Sequence, residues 1–159
     1  MNHGTIARST TKRKNVMGNR AVITIRDEHK PKNEWSSLYL HWNGGRDSVE
    51  PFLYVAKLYG VRCDADPTYG IARLSQIIGN TLGGTLSIGV ASYKYLDTNN
   101  YDNGVYVISD WKIIEREYFP SEHKEQNYYD FDEMVAEIRT ANDHIFHYEE
   151  PVSEIGETV

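Results

Sequence analysis

The rhythm of apolar and polar positions changes several times along the chain, and each change marks an element. The segment "RAVITIRDE" (residues 20–28) is rich in β-branched side chains and predicts a strand. In "SLYLHW" (residues 37–42), Leu38, Leu40 and Trp42 alternate with Tyr39 and His41, which is strand period. The polar, proline-containing stretch between them predicts a hairpin whose loop holds about eight to ten residues.

From Val49 the spacing becomes helical: Val49, Phe52, Leu53, Ala56 and Tyr59 share one face. Ser48 or Asp47 is placed to cap this helix, since a side-chain oxygen there can accept from a first-turn amide. Pro51 falls in the first turn and Gly60 supplies the stop. A second helix opens with Asp66 as cap and Pro67 at its first position. Ile71, Leu74, Ile77 and Ile78 form its stripe, and "GNTLGG" ends it. "TLSIGVASYKY" (residues 85–95) and "GVYVISDWKIIERE" (residues 104–117) predict two more strands. They flank "LDTNNYDNG", where Asn103 and Gly104 are a turn signal.

The last periodic segment, "DFDEMVAEIRTANDHIFH" (residues 130–147), predicts a third helix. Asp130 caps it, Glu133 completes a capping box, and Phe131, Met134, Val135, Ile138, Ala141 and Ile145 form its stripe. The order ββααββα predicts an α+β fold: an antiparallel or mixed sheet of about four strands with helices packed on one face. Residues 1–18 read as a flexible basic arm, 19–148 as a single globular domain and 149–159 as a flexible acidic tail.

Charge sharpens this division. Residues 1–20 hold five basic residues and no acidic ones, residues 121–159 hold eleven acidic against two basic, and the net charge is −6. That sign argues against a broad phosphate-contacting face, so a nucleic-acid-binding protein is an alternative and not the leading reading. Cys63 is the single cysteine, which excludes an intramolecular disulfide and a cysteine-based metal site and suggests a cytoplasmic setting. Arg62 beside it is expected to lower the thiol pKa slightly. No apolar run approaches the roughly 20 residues of a membrane span. Twelve tyrosines supply apolar bodies with polar tips, suited to half-buried sheet positions and to binding surfaces.

The junction "HWNGGRDSV" carries the main candidate chemistry. Glycines let the backbone approach phosphate oxygens, amides at a helix start point at an anion, and Arg46 adds a charge-assisted contact. The candidate ligand-binding residues are Asn43, Gly44, Gly45, Arg46, Asp47 and Ser48, with Asn80 and Asn103 from the other Gly/Asn loops. The competing reading of the same residues is a capped structural turn. Asp97, Asn100 and Asp102 offer oxygens but lack the calcium-loop pattern and its terminal glutamate, which favours a turn. His144 and His147 have no glutamate at zincin spacing, and Ser48 has no nucleophile elbow. No catalytic or metal-ligating set emerges, and no cofactor is expected.

The run from Asn43 to Ser48 resembles the loop of the PP-loop ATP pyrophosphatases, a strand followed by Ser-Gly-Gly-x-Asp-Ser and a helix, with Asn43 where that family has serine. The resemblance implies a parallel α/β fold and a nucleotide-dependent enzyme using Gly44 and Gly45 as a phosphate loop. Over roughly residues 19–116 the chain also resembles small proteins of bacteriophages and related mobile elements, through "LYLHWNGGRDSVEPFL", "YGIARLSQIIGN" and "DNGVYVI". That likeness implies a setting: an accessory protein acting by binding, which antagonises a host defence system in the manner of an anti-CRISPR or by sequestering a nucleotide signal. The expected partner is a host or phage protein, or a nucleotide or phosphate ligand.

Overall fold

Strand β1 (Ala21–Ile25), rich in β-branched residues, occupies the middle of the sheet and is buried along its whole length. The computed structural model describes residues 19–84, 87–118 and 128–152; the basic arm and residues 153–159 lie outside the described residues. After β1 come a 3-10 turn (Lys32–Glu34), β2 (Ser36–Leu40), α1 (Arg46–Leu58), α2 (Pro67–Leu82) and β3 (Ile88–Ser92). A second 3-10 turn (Tyr93–Tyr95), β4 (Val105–Ser109), β5 (Lys112–Glu117) and α3 (Phe131–Asn142) complete the chain order. The sheet runs β3-β2-β1-β4-β5. β1 and β4 are parallel and every other neighbouring pair is antiparallel, so the α+β class and the mixed sheet stand as expected.

Two strand expectations change. The segment 104–117 is not one strand but the hairpin β4-β5, giving five strands among the described residues. Its turn is at Asp110 and Trp111, with φ of 50° and 57°. Positive φ is unfavourable for a tryptophan. It is held by contacts from far along the chain: the indole Nε1 of Trp111 donates to the Val61 carbonyl (2.7 Å), and the Asp110 amide donates to Asp64 Oδ1 (2.8 Å). Second, Asn103 and Gly104 do not turn β3 into β4. Those strands are separated by β2 and β1, and the loop between them crosses the sheet.

Caps follow the sequence in two helices. Asp66 accepts from the Tyr69 amide at the start of α2, and Asp130 accepts from the Glu133 amide at the start of α3. α1 differs: its N-cap is Gly45, and Ser48 lies buried inside the first turn. Pro51 sits in the second turn, where its missing N–H would have met the Asp47 carbonyl. α3 ends at Asn142, so Ile145 is outside it and exposed. Asn142 itself is fully buried and ties α3 to α2 by donating to the carbonyl of Ile77 (3.2 Å) and to Thr81 Oγ1 (3.1 Å).

The two faces of the sheet are covered differently. Ile23, Ile25, Leu38, Leu40, Tyr106 and Ile108 point to the helices and meet Phe52, Leu53, Leu74, Ile78 and Ile138 in the main core. Each large apolar side chain fully buried there contributes about 1.5–3 kcal/mol. On the opposite face Val22, Val105 and Val107 form a small cluster packed by Tyr39 of β2 and by Trp35, Tyr93 and Leu96 from the two 3-10 turns and their flanks. Among the described residues no helix is long and apolar enough to cross a membrane.

Candidate functional site

The glycine junction is tied inward. Asn43 takes φ of 57°, a left-handed conformation that asparagine tolerates. The Gly44 amide donates to the Asn19 carbonyl (2.9 Å), and the Gly44 carbonyl accepts from the Tyr106 hydroxyl (2.8 Å). A Cβ on Gly44 would lie 2.6 Å from the Asn19 oxygen and 2.7 Å from the Ala21 Cβ, so the glycine allows close packing against the start of β1. Gly45 caps α1 through its carbonyl, which accepts from Ser48 and Val49. Asn43 Nδ2 donates to the buried Ser48 Oγ (3.2 Å).

Asp47, the acid beside the helix start, reaches across to the entry of α3. Its Oδ2 accepts from the amides of Tyr128 (2.6 Å) and Tyr129 (2.9 Å). Burial pushes its carboxyl above the usual range despite those amides. Arg46 lies on the surface with its guanidinium against Glu50, one turn on. The geometry is that of an internally tied turn. The helix end already faces a carboxylate, and the buried Asn43 Oδ1, without a partner among the described residues, is an acceptor, which an anion could not satisfy. The PP-loop resemblance implied a parallel sheet, whereas β2, which feeds the junction, is antiparallel to both neighbours.

Asn103 joins this junction from another loop. Fully buried, it donates through Nδ2 to the side chain of Asn19 and to the Arg20 carbonyl (3.1 Å). Asn19 therefore links Asn103 to Gly44, and this fastens the start of β4 beside β1. Arg116 donates to the Asn103 carbonyl (3.0 Å) and lies 3.9 Å over the Tyr106 ring. Asn80 is not brought in: it sits on α2 and donates to Asn142 Oδ1 (2.9 Å). In the same crossing loop, Asn100 Oδ1 accepts from the amides of Asp102 and Gly104, while Asp102 pairs with Arg20 at 2.6 Å. The loop is a turn filled by its own side chains. Among the described residues no group of three His, Cys, Asp or Glu is placed to hold a metal.

A different feature opens to solvent. Between the crossing loop and the end of β5 lies a cleft of about 210 Å³, lined by Tyr93, Asn99, Tyr101, Asp102, Glu117 and Tyr118 among others. Its floor is fixed: Glu117 accepts from the Tyr93 hydroxyl (2.5 Å) and from Lys32 Nζ. Burial raises the Glu117 carboxyl, but the hydrogen bonds from Lys32 and Tyr93 outweigh it and hold the group below the usual range. Burial and the Glu117 carboxylate both push the Tyr93 phenol up, so it stays protonated. At the rim, Tyr101 is 72% exposed and Tyr118 stands 5.0 Å from the Arg116 guanidinium. The cleft presents tyrosine rings over a floor tied by hydrogen bonds.

Sequence reasoning singled out none of Lys32, Tyr93, Tyr101, Glu117 or Tyr118. The abundance of tyrosine was the only signal, and the pairing of Lys32 with Glu117 spans most of the domain. The thiol of Cys63 corrects another expectation. Cys63 is buried, and burial pushes the thiol up to about 12. Arg62 instead stacks on the Tyr69 ring (4.3 Å) and pairs with Asp66. No family model, curated protein or solved structure matches the chain.

Proposed function

We propose that this protein acts by binding a protein partner through the tyrosine-lined cleft. The resemblance to phage and mobile-element proteins suggests the setting, an accessory protein that antagonises a host defence system. The observation that carries the reading is the cleft itself. Its floor is held by the Lys32, Glu117 and Tyr93 bonds, and its rim exposes Tyr101 and Tyr118. Tyrosine is favoured at interfaces because it offers a large amphipathic surface at small entropic cost, and a rigid site loses less freedom on binding.

The test is capture from host lysate with wild type and the double variant Tyr101→Ala/Tyr118→Ala, followed by calorimetry with the captured protein. The double variant should lose about 2 kcal/mol or more of binding free energy while keeping its melting temperature. Capture that is equal in both, or lost equally on Tyr54→Ala on the helix-covered face, would overturn the reading. Calorimetry with ATP, cyclic nucleotides and pyrophosphate completes the test. A nucleotide that binds wild type but not Arg46→Ala would move the activity to the glycine junction.

A further inference from the structure

The two edges of the sheet are protected unequally. An edge strand offers a row of unpaired amides and carbonyls, and proteins blunt such edges with charges, proline, bulges or covering elements. β5 carries Lys112, Glu115, Arg116 and Glu117, and its ladder with β4 is interrupted by a register shift at Val107/Ile108. β3 reads Ile-Gly-Val-Ala-Ser, with no charge, no proline and an unbroken register to β2. Among the described residues it pairs with β2 alone.

The register says which groups face outward. The His41 amide donates to the Ser87 carbonyl (3.2 Å) and the Tyr93 amide to the Trp35 carbonyl (2.8 Å). Both belong to the hydrogen-bonded pairs of an antiparallel ladder, and such pairs alternate along it. Gly89 and Ala91 therefore turn their backbone groups toward β2. Ile88, Val90 and Ser92 turn theirs to the open edge. Val90 shares the helix-covered face with its neighbour Leu38, yet it is 58% exposed.

We propose that β3 pairs with β3 of a second copy, antiparallel, about a two-fold axis at Val90. In that register Val90 faces Val90 of the second copy, and Ile88 faces Ser92. Each Val90 amide donates to the opposite Val90 carbonyl, and each Ser92 amide to the opposite Ile88 carbonyl, making four hydrogen bonds. The Ser92 carbonyl, which starts the second 3-10 turn, is not needed. On the helix side two half-exposed valines meet. On the other side Gly89 faces Ala91, too small to clash. The nearest charge along the strand, Lys94, would stand about 27 Å from its copy at ordinary strand rise, far beyond the screening length. The same operation on β5 would bring its charged residues together. A strand that is its own complement, with like charges kept apart, fits a second copy better than a foreign chain.

The full chain should show a monomer–dimer equilibrium in sedimentation velocity between about 1 and 200 µM, the weak regime of a small interface. Val90→Lys sets two ammonium groups face to face and should raise the dissociation constant by about tenfold or more. Val90 is exposed, so the variant should keep the wild-type circular dichroism spectrum. Mild oxidation of Val90→Cys should give a covalent dimer, because Cα atoms paired across the axis lie within disulfide range. Ala91→Cys should not, because its thiol faces Gly89. Cys63 is buried and does not compete. A chain that stays monomeric at about 200 µM, a Val90→Lys dimer of unchanged affinity, or crosslinking of Ala91→Cys as readily as Val90→Cys would each overturn the proposal.

Discussion

The helix-covered face of the sheet and the face opposite it are built from the same five strands for different ends. On the helix side Ile, Leu and Phe side chains from the sheet and from α1, α2 and α3 merge into one cluster. Opposite, the buried cluster is three valines, packed by Trp35, Tyr39, Tyr93 and Leu96 beside a hydrogen-bonded Lys32–Glu117 pair. Apolar area buried scales with stabilisation, so the first face carries most of the folding energy. The second face presents polar and aromatic groups held by hydrogen bonds, the arrangement on which the proposed binding role rests.

Substitutions can break this contrast. Phe52→Ala, in the main core, should cost about 3–5 kcal/mol in urea denaturation. Gly44→Ala should cost about 3 kcal/mol, the upper end for overpacking, because the new methyl meets the Asn19 backbone oxygen and the strand start must shift. Val107→Ala, on the valine face, should cost about 2 kcal/mol, from the two methyl groups it takes out of the cluster and the small void left. A loss at Val107 equal to that at Phe52 would mean that both faces hold the fold alike.

The smallest effect tests the cleft floor. Glu117→Gln should lower stability by less than about 1 kcal/mol near neutral pH, because the carboxylate is partly solvated and its pair is screened. The folded-state pKa of Glu117 is depressed, so its contribution is present above the ordinary value of 4.5. It fades as the pH falls through the lower folded value. Denaturation curves for wild type and variant should converge on acidification. A gap that widened toward low pH would show that the carboxylate is not held by Lys32 and Tyr93.

The sequence by itself determined what depends on near neighbours. Five β-branched or small residues in β1 imply a strand. Asp66 with Pro67, and Asp130 with Glu133, start α2 and α3 where the pattern says they should, since a cap acts within three residues. The glycine junction was also legible as a strand-to-helix turn, because strand period ends at Trp42, two glycines follow and helical spacing begins at Val49. Only the tertiary structure decided the rest, since the partners lie far apart along the chain. Trp111 turns β4 into β5 because Val61 and Asp64 hold the turn against its own backbone preference. The start of β4 is fastened beside β1 because Asn103 reaches the Asn19 side chain and the Arg20 carbonyl. Asp47 is a tether for the entry to α3 and not a cap, because the amides of Tyr128 and Tyr129 come to it there. Glu117 lines a cleft because Lys32 and Tyr93 reach it across the sheet. Local spacing sets where a helix or strand begins, but a lone hydrogen-bonding side chain carries no sequence signal for which distant group it will meet.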